Sequence, residues 1–167
     1  MCYLIGTRSS CPLACTESVT TFLTEAVRPC AVMAGLQARV DKSSLEPSLR
    51  ELIKTRASQI NGCAFCIHMH TREARAKGES EERLYLLDAW RGLPLYTDRE
   101  RAALAWTEAL TLIADTHAPD DVWEEARRHF SEAEMVDLTM AVVAINSWNR
   151  LAISSRMVHP VHAPKAA

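Results

Sequence analysis

Helical periodicity runs through nearly the whole chain from about Pro29 onward, and no stretch alternates apolar and polar residues for long enough to make a strand. Val32, Leu36 and Val40 recur every four residues. Leu49, Leu52, Ile53, Ala57 and Ile60 line one side of the next segment, with Arg50, Lys54 and Ser58 largely opposite. Pro47 suits that segment's first turn, where a missing N–H costs nothing. Asn61-Gly62 breaks it, and a further helix over about 63–77 stops at Gly78. Ser80 caps a helix carrying Leu84, Leu87 and Trp90 at core spacing, which Gly92-Leu93-Pro94 ends. Thr97-Asp98-Arg99-Glu100 and Ser131-Glu132-Ala133-Glu134 are capping boxes. The first opens a long helix through Leu104, Ala105, Leu110 and Ile113. The second launches the last and most apolar helix, about 135–157. Between them Pro119 begins a short helix that ends near Phe130.

The expectation is an all-α fold, a single-domain helical bundle over residues 29–157. An extension of unassigned structure (1–28) precedes it and a frayed tail (158–167) follows. A chain of 167 residues with 48% hydrophobic and 24% charged residues is long enough and apolar enough to bury one core. Nineteen basic against 21 acidic residues leave a net charge of −2, so no bulk positive field exists to grip nucleic acid. No apolar run approaches the roughly 20 residues of a membrane span, and the start lacks the pattern of a signal peptide. The expected location is the cytoplasm.

Cysteine placement narrows the chemistry. Cys2, Cys11, Cys15 and Cys30 show no interpretable spacing, whereas Cys63 and Cys66 form a C-x-x-C pair inside the patterned region. In a reducing compartment such a pair is a redox or metal motif rather than a staple. A helix advances about 100° per residue, so Cys63, Cys66 and His70 share one face, with both cysteines in the first turn after the Asn61-Gly62 break. A thiolate there gains from the positive end of the helix dipole and from free backbone N–H groups. His70 can take the proton from Cys66, and Glu51, from the preceding helix, can hold or relay through the imidazole. His68 falls on the other face. Such a dithiol can cycle: one sulfur attacks an oxidant, and the sulfenic acid is resolved by the other as a disulfide. The spacing to His70 favours Cys66 as the attacking thiol and Cys63 as the resolving one. Two other readings fit the same residues. One is a structural zinc site using Cys63, Cys66 and His70, with His117, His129 or Cys30 as fourth ligand. The other is a pair of inert buried thiols.

The same residues resemble the signature of the AhpD-like alkylhydroperoxidases, within the carboxymuconolactone decarboxylase superfamily. That signature is a Glu, eleven residues, then C-x-x-C-x-x-x-H, and it stands here as Glu51, Cys63, Cys66 and His70. Similar text flanks it at Ser58-Gln59-Ile60-Asn61-Gly62, at Thr97-Asp98-Arg99-Glu100-Arg101-Ala102-Ala103-Leu104 and at Ala144-Ile145-Asn146-Ser147-Trp148-Asn149-Arg150-Leu151. The resemblance implies an AhpD-like helical bundle and reduction of organic hydroperoxides by the cysteine pair, without a cofactor or bound metal. It implies a thiol reductant; some members serve as reductants for a peroxiredoxin and are themselves reduced by a lipoyl-bearing protein. It also implies assembly into homo-oligomers, trimers or hexamers. Members with decarboxylase activity typically lack the cysteine pair. Phe65 stands where some members carry a second histidine. Independently, Met135, Val136, Leu138, Met140, Val142, Val143 and Ile145 make the last helix apolar over more than one face, which fits either a subunit interface or a central core helix.

Overall fold

The computed structural model describes residues 27–157, and among them every regular element is helical. The expected N-terminal extension and C-terminal tail, with Cys2, Cys11 and Cys15, lie outside the described residues apart from the two residues that begin the first helix. That helix, α1 (Val27–Asp41), starts before the expected stripe, because Pro29 falls in a first turn whose N–H groups have no intrahelical partner anyway. It is followed by α2 (Pro47–Asn61), α3 (Ala64–Ala76) and the short α4 (Glu81–Tyr85). A 3-10 segment (Leu87–Gly92), α5 (Asp98–Thr111), α6 (Ile113–Thr116), α7 (Asp120–His129) and α8 (Glu132–Ser154) complete the described chain.

α2 is the hub, packed against α3, α5 and α8. On one side Leu49 and Ile53 join Ala103 and Trp106 of α5 and Leu138 and Val142 of α8 in the main core. On another, Leu52 joins Ala74, Leu84, Leu87, Trp90 and Leu104 in a second cluster. Each of these leucines and isoleucines contributes about 1.5–3 kcal/mol by leaving water. The expected polar side of α2 is not solvated: Lys54 and Ser58 are buried along with Glu51 and Thr55. The reason is that α3 and α8 cover that side, so its polar groups face neighbours rather than solvent.

The capping signals shape the element ends. Thr97 and Ser131 each accept from a backbone N–H three residues on, while Glu100 and Glu134 accept from the Thr97 and Ser131 N–H groups in return. Two expected helices are divided. The segment after Ser80 ends at Tyr85 and resumes as 3-10, because Leu84, Leu87 and Trp90 are spaced by three, the 3-10 repeat, and all three are buried. Trp90 is fixed there by its Nε1 donating to Glu108 at 2.8 Å. The helix opened by Thr97 stops at Thr111, and Ile113 lies in a separate, exposed turn. The final helix ends at Ser154, three residues short of expectation, with Arg156 in the left-handed region at φ 57°. α8 is both a core helix and an exposed one: Leu138, Val142 and Ile145 are buried, while Val136 and Val143 face outward.

Candidate active site

The turn between α2 and α3 is built by Gly62, whose φ of 68° is the left-handed conformation that glycine adopts without cost. It ends α2 by donating to the carbonyls of Gln59 and Ser58 and reverses the chain, and Cys63 N–H then donates to the Ser58 carbonyl at 3.0 Å. α3 therefore begins pressed against the end of α2. Cys63 is the residue that caps α3 rather than lying in its first turn, and its sulfur accepts from the Cys66 N–H at 3.3 Å. The two sulfurs are joined as a disulfide across Cα atoms 5.3 Å apart. Both cysteines are 2% exposed and pack with Ala152 of α8, flanked by Phe65 and Met157. An open cleft of about 170 Å³ lies over Cys63, bordered by Phe65, Ile153, Arg156 and Met157.

One turn beyond Cys66, His70 is buried and its Nδ1 lies 3.0 Å from Glu51 Oε2. Glu73, half exposed, approaches the same nitrogen at 3.5 Å. Glu51 is 1% exposed yet heavily partnered: Lys77 Nζ donates to its Oε1 at 2.5 Å and Lys54 Nζ at 3.4 Å. Burial alone pushes the Glu51 carboxyl up. The hydrogen bond from His70, the charge of Lys54 and the hydrogen bond from Lys77 outweigh it, and the carboxyl is brought down to about 2. Glu51 is thus an anion at neutral pH, and it accepts from Nδ1–H. With Nδ1–H held in this way, Nε2 is the ring nitrogen left to take up or give a proton.

Of the residues singled out from sequence, Glu51 and His70 are in direct contact and Cys63 and Cys66 are bonded to each other. His68 is exposed on the far face of α3. Cys63, Cys66 and His70 do not form, among the described residues, the three-ligand cluster that the zinc reading uses. Among the described residues, the cluster of His, Cys, Asp and Glu donor atoms close enough to share an ion is Glu51, His70 and Glu73, without either sulfur. His129 is occupied elsewhere, 3.1 Å from Glu125 on α7.

Sequence reasoning missed the supporting residues. Lys54 had a local signal, since a Glu and a Lys three apart on a helix are neighbours. Lys77 had none, because its approach depends on how α3 folds back. A buried polar network behind the turn was legible only as two asparagines in an apolar helix. Asn61 Nδ2 donates to Asn146 Oδ1 at 3.0 Å and to Asn149 Oδ1 at 2.9 Å. Asn149 Nδ2 in turn donates to Ser58 Oγ at 3.0 Å. The turn that carries Cys63 is therefore tied to α8 as well as to α2.

Known proteins are similar to this chain in sequence and fold. Residues 29–109 match the model of the carboxymuconolactone decarboxylase family. The uncharacterised protein YdfG of Bacillus subtilis is 45% identical over 123 residues, which are 74% of this chain and 84% of that protein. A crystal structure of ATU0492 from Agrobacterium tumefaciens superposes with a TM-score of 0.82 at 46% identity, covering 84% of this chain and 97% of the other. That protein is of unknown function and provisionally assigned to AhpD antioxidant defence. The debrominase Bmp8, at 18% identity, shares the fold with a TM-score of 0.74 over 86% of this chain and 77% of its own. The helical bundle, its cysteine pair and these relatives together establish that the chain belongs to the carboxymuconolactone decarboxylase family, in its AhpD-like form.

Proposed function

We propose that the protein is a dithiol peroxidase of the alkylhydroperoxide reductase type, reducing organic hydroperoxides by cycling Cys63 and Cys66 between dithiol and disulfide. The carrying observation is the disulfide at the start of α3 with the Glu51–His70 pair one turn behind it. In the reduced enzyme His70 Nε2 takes the Cys66 proton, and the anionic Glu51 stabilises the imidazolium that results. The Cys66 thiolate attacks the outer peroxide oxygen and the O–O bond breaks. The alkoxide leaves as an alcohol with the proton from His70, and Cys66 becomes a sulfenic acid. Cys63 attacks that sulfur, water leaves and the disulfide forms. A dithiol reductant then returns two electrons through Cys63, the sulfur that borders the cleft.

Membership of a family that includes enzymes, and likeness to a protein provisionally placed in antioxidant defence, support this reading. In the same reading the protein works in the cytoplasm and assembles as a homo-oligomer, a trimer or hexamer. The outward Val136 and Val143, seven apart on α8, favour the assembly. Among the described residues no helix is long and apolar enough to cross a membrane. A second reading, a disulfide reductase that serves a peroxiredoxin, is favoured by the burial of both sulfurs beside a cleft that reaches only Cys63. Turnover of cumene hydroperoxide with dithiothreitol, with and without a peroxiredoxin, separates the two. The peroxidase reading requires turnover by the protein alone and its loss in Cys66→Ser. A Cys66→Ser protein that keeps full activity removes the mechanism.

A further inference from the structure

α2 and α3 run antiparallel with a constant register. Glu51 meets His70, and seven residues further along α2 the Ser58 carbonyl meets Cys63, seven residues back along α3. Carried along both helices, the same register brings Thr55, four beyond Glu51, level with Cys66, four before His70. Thr55 is fully buried, and its Oγ1 has no hydrogen-bond partner. Hydroxyls on other helical turns bond the carbonyl four residues back: Ser58 to Lys54, Thr71 to Ile67, Thr107 to Ala103. Thr55 makes no such bond, so its hydroxyl is not satisfied by its own helix. Folded proteins seldom leave a buried hydroxyl idle without a reason.

In the disulfide, the Cys66 sulfur is neutral, bonded to Cys63, and a weak acceptor. A thiolate at the same place is a strong one. We propose that Thr55 is a positioning residue whose hydroxyl donates a hydrogen bond to the Cys66 sulfur once the disulfide opens. This rests on the disulfide cycle set out above. When a dithiol attacks Cys63, the Cys63–Cys66 bond breaks and Cys66 leaves as the thiolate. The second reductant thiol then displaces Cys63 and closes a cyclic disulfide. Of the two protons the reductant gives up, one stays on Cys63 and the other passes to His70 or water. Thr55, idle before this step, is engaged after it, so it stabilises the reduced form. The titratable and charged groups around this site are Cys63, His70 and, beside His70, Glu73 on α3, Glu51 on α2 with Lys54 and Lys77 bonded to it, and Arg156 across the cleft. Thr55 adds an uncharged donor to that set.

Thr55→Val keeps the shape and removes the donor, and Thr55→Ser keeps the donor. Two readouts test the role without relying on peroxide turnover. The first is the pH profile of iodoacetamide alkylation at Cys66, followed by peptide mass spectrometry in a Cys63→Ser background. The second is the equilibrium of the intact pair with dithiothreitol. In Thr55→Val the alkylation midpoint rises by about one pH unit and the equilibrium moves about tenfold toward the disulfide. Thr55→Ser restores both. If Thr55→Val does not fold, Thr55→Ala against Thr55→Ser makes the same comparison. Superimposed profiles for Val and wild type overturn the role of Thr55, as does an equal shift in Ser and Val. A wild-type disulfide that dithiothreitol cannot open overturns the cycle and this inference together.

Discussion

Ser58 and Asn149 are joined side chain to side chain at 3.0 Å across 91 positions of sequence, and their hydrogen bond locks the end of α2 to α8 where the cysteine turn begins. Asn149 is fully buried and uses its oxygen for Asn61 as well. Asn149→Ala leaves the Ser58 and Asn61 groups without that partner, inside a site that cannot rehydrate freely. The expected cost is about 2–4 kcal/mol, read as a lower urea midpoint at unchanged slope. A variant as stable as wild type would show that the network is dispensable.

Glu51→Gln tests the electrostatics behind the site. Its carboxyl is lowered to about 2, so its stabilising share is complete above the unfolded carboxylate value and fades as pH falls toward the folded one. Removing the charge leaves Lys77 without this anion and the buried Lys54 with only the longer 4.0 Å pairing to Asp41. The variant loses about 3 kcal/mol at pH 7, and its deficit against wild type shrinks between about pH 5 and pH 2. Both proteins keep an acid limb, because Glu100, Glu108 and Asp137 are also held below the ordinary carboxylate range. Denaturation midpoints across that window give the comparison. A constant deficit down to pH 2 would contradict the lowered carboxyl.

His70→Ala separates proton transfer from positioning. Without the imidazole, Cys66 must ionise unaided, and peroxide turnover at pH 7 falls about 100-fold. The loss narrows as pH is raised through the ordinary thiol range. A deficit independent of pH would mean that His70 acts only by holding Glu51 in place.

Gly62→Ala isolates the backbone contribution. A Cβ at this position meets no atom within 4 Å, so the cost is the left-handed φ alone. About 1 kcal/mol of stability is lost. A drop of several kcal/mol in thermal or urea unfolding would point to a steric requirement that the turn does not show.

Sequence patterning revealed most of this fold for identifiable reasons. Capping boxes at Thr97 and Ser131 and the Asn61-Gly62 stop are local signals, and each marks a real boundary. The Glu51–His70 contact was readable from two helices joined by a two-residue turn. What escaped depends on tertiary contact. The polar side of α2 read as solvated because Lys54 and Ser58 look like surface residues until α3 and α8 cover them. The break after Tyr85 escaped because residues spaced by three fit a helical stripe and a 3-10 turn alike. Thr55 carried no signal, since an unpaired hydroxyl becomes conspicuous only when its surroundings are packed.

The most direct measurement is stoichiometric. Reduced protein, freed of reductant, is mixed with one equivalent of an organic hydroperoxide and analysed by peptide mass spectrometry together with the released alcohol. One Cys63–Cys66 disulfide forms for each alcohol produced, and added dithiol restores both thiols. Alcohol released while Cys63 and Cys66 remain thiols, or no oxidation of the pair at all, would show that the two sulfurs are not the redox centre.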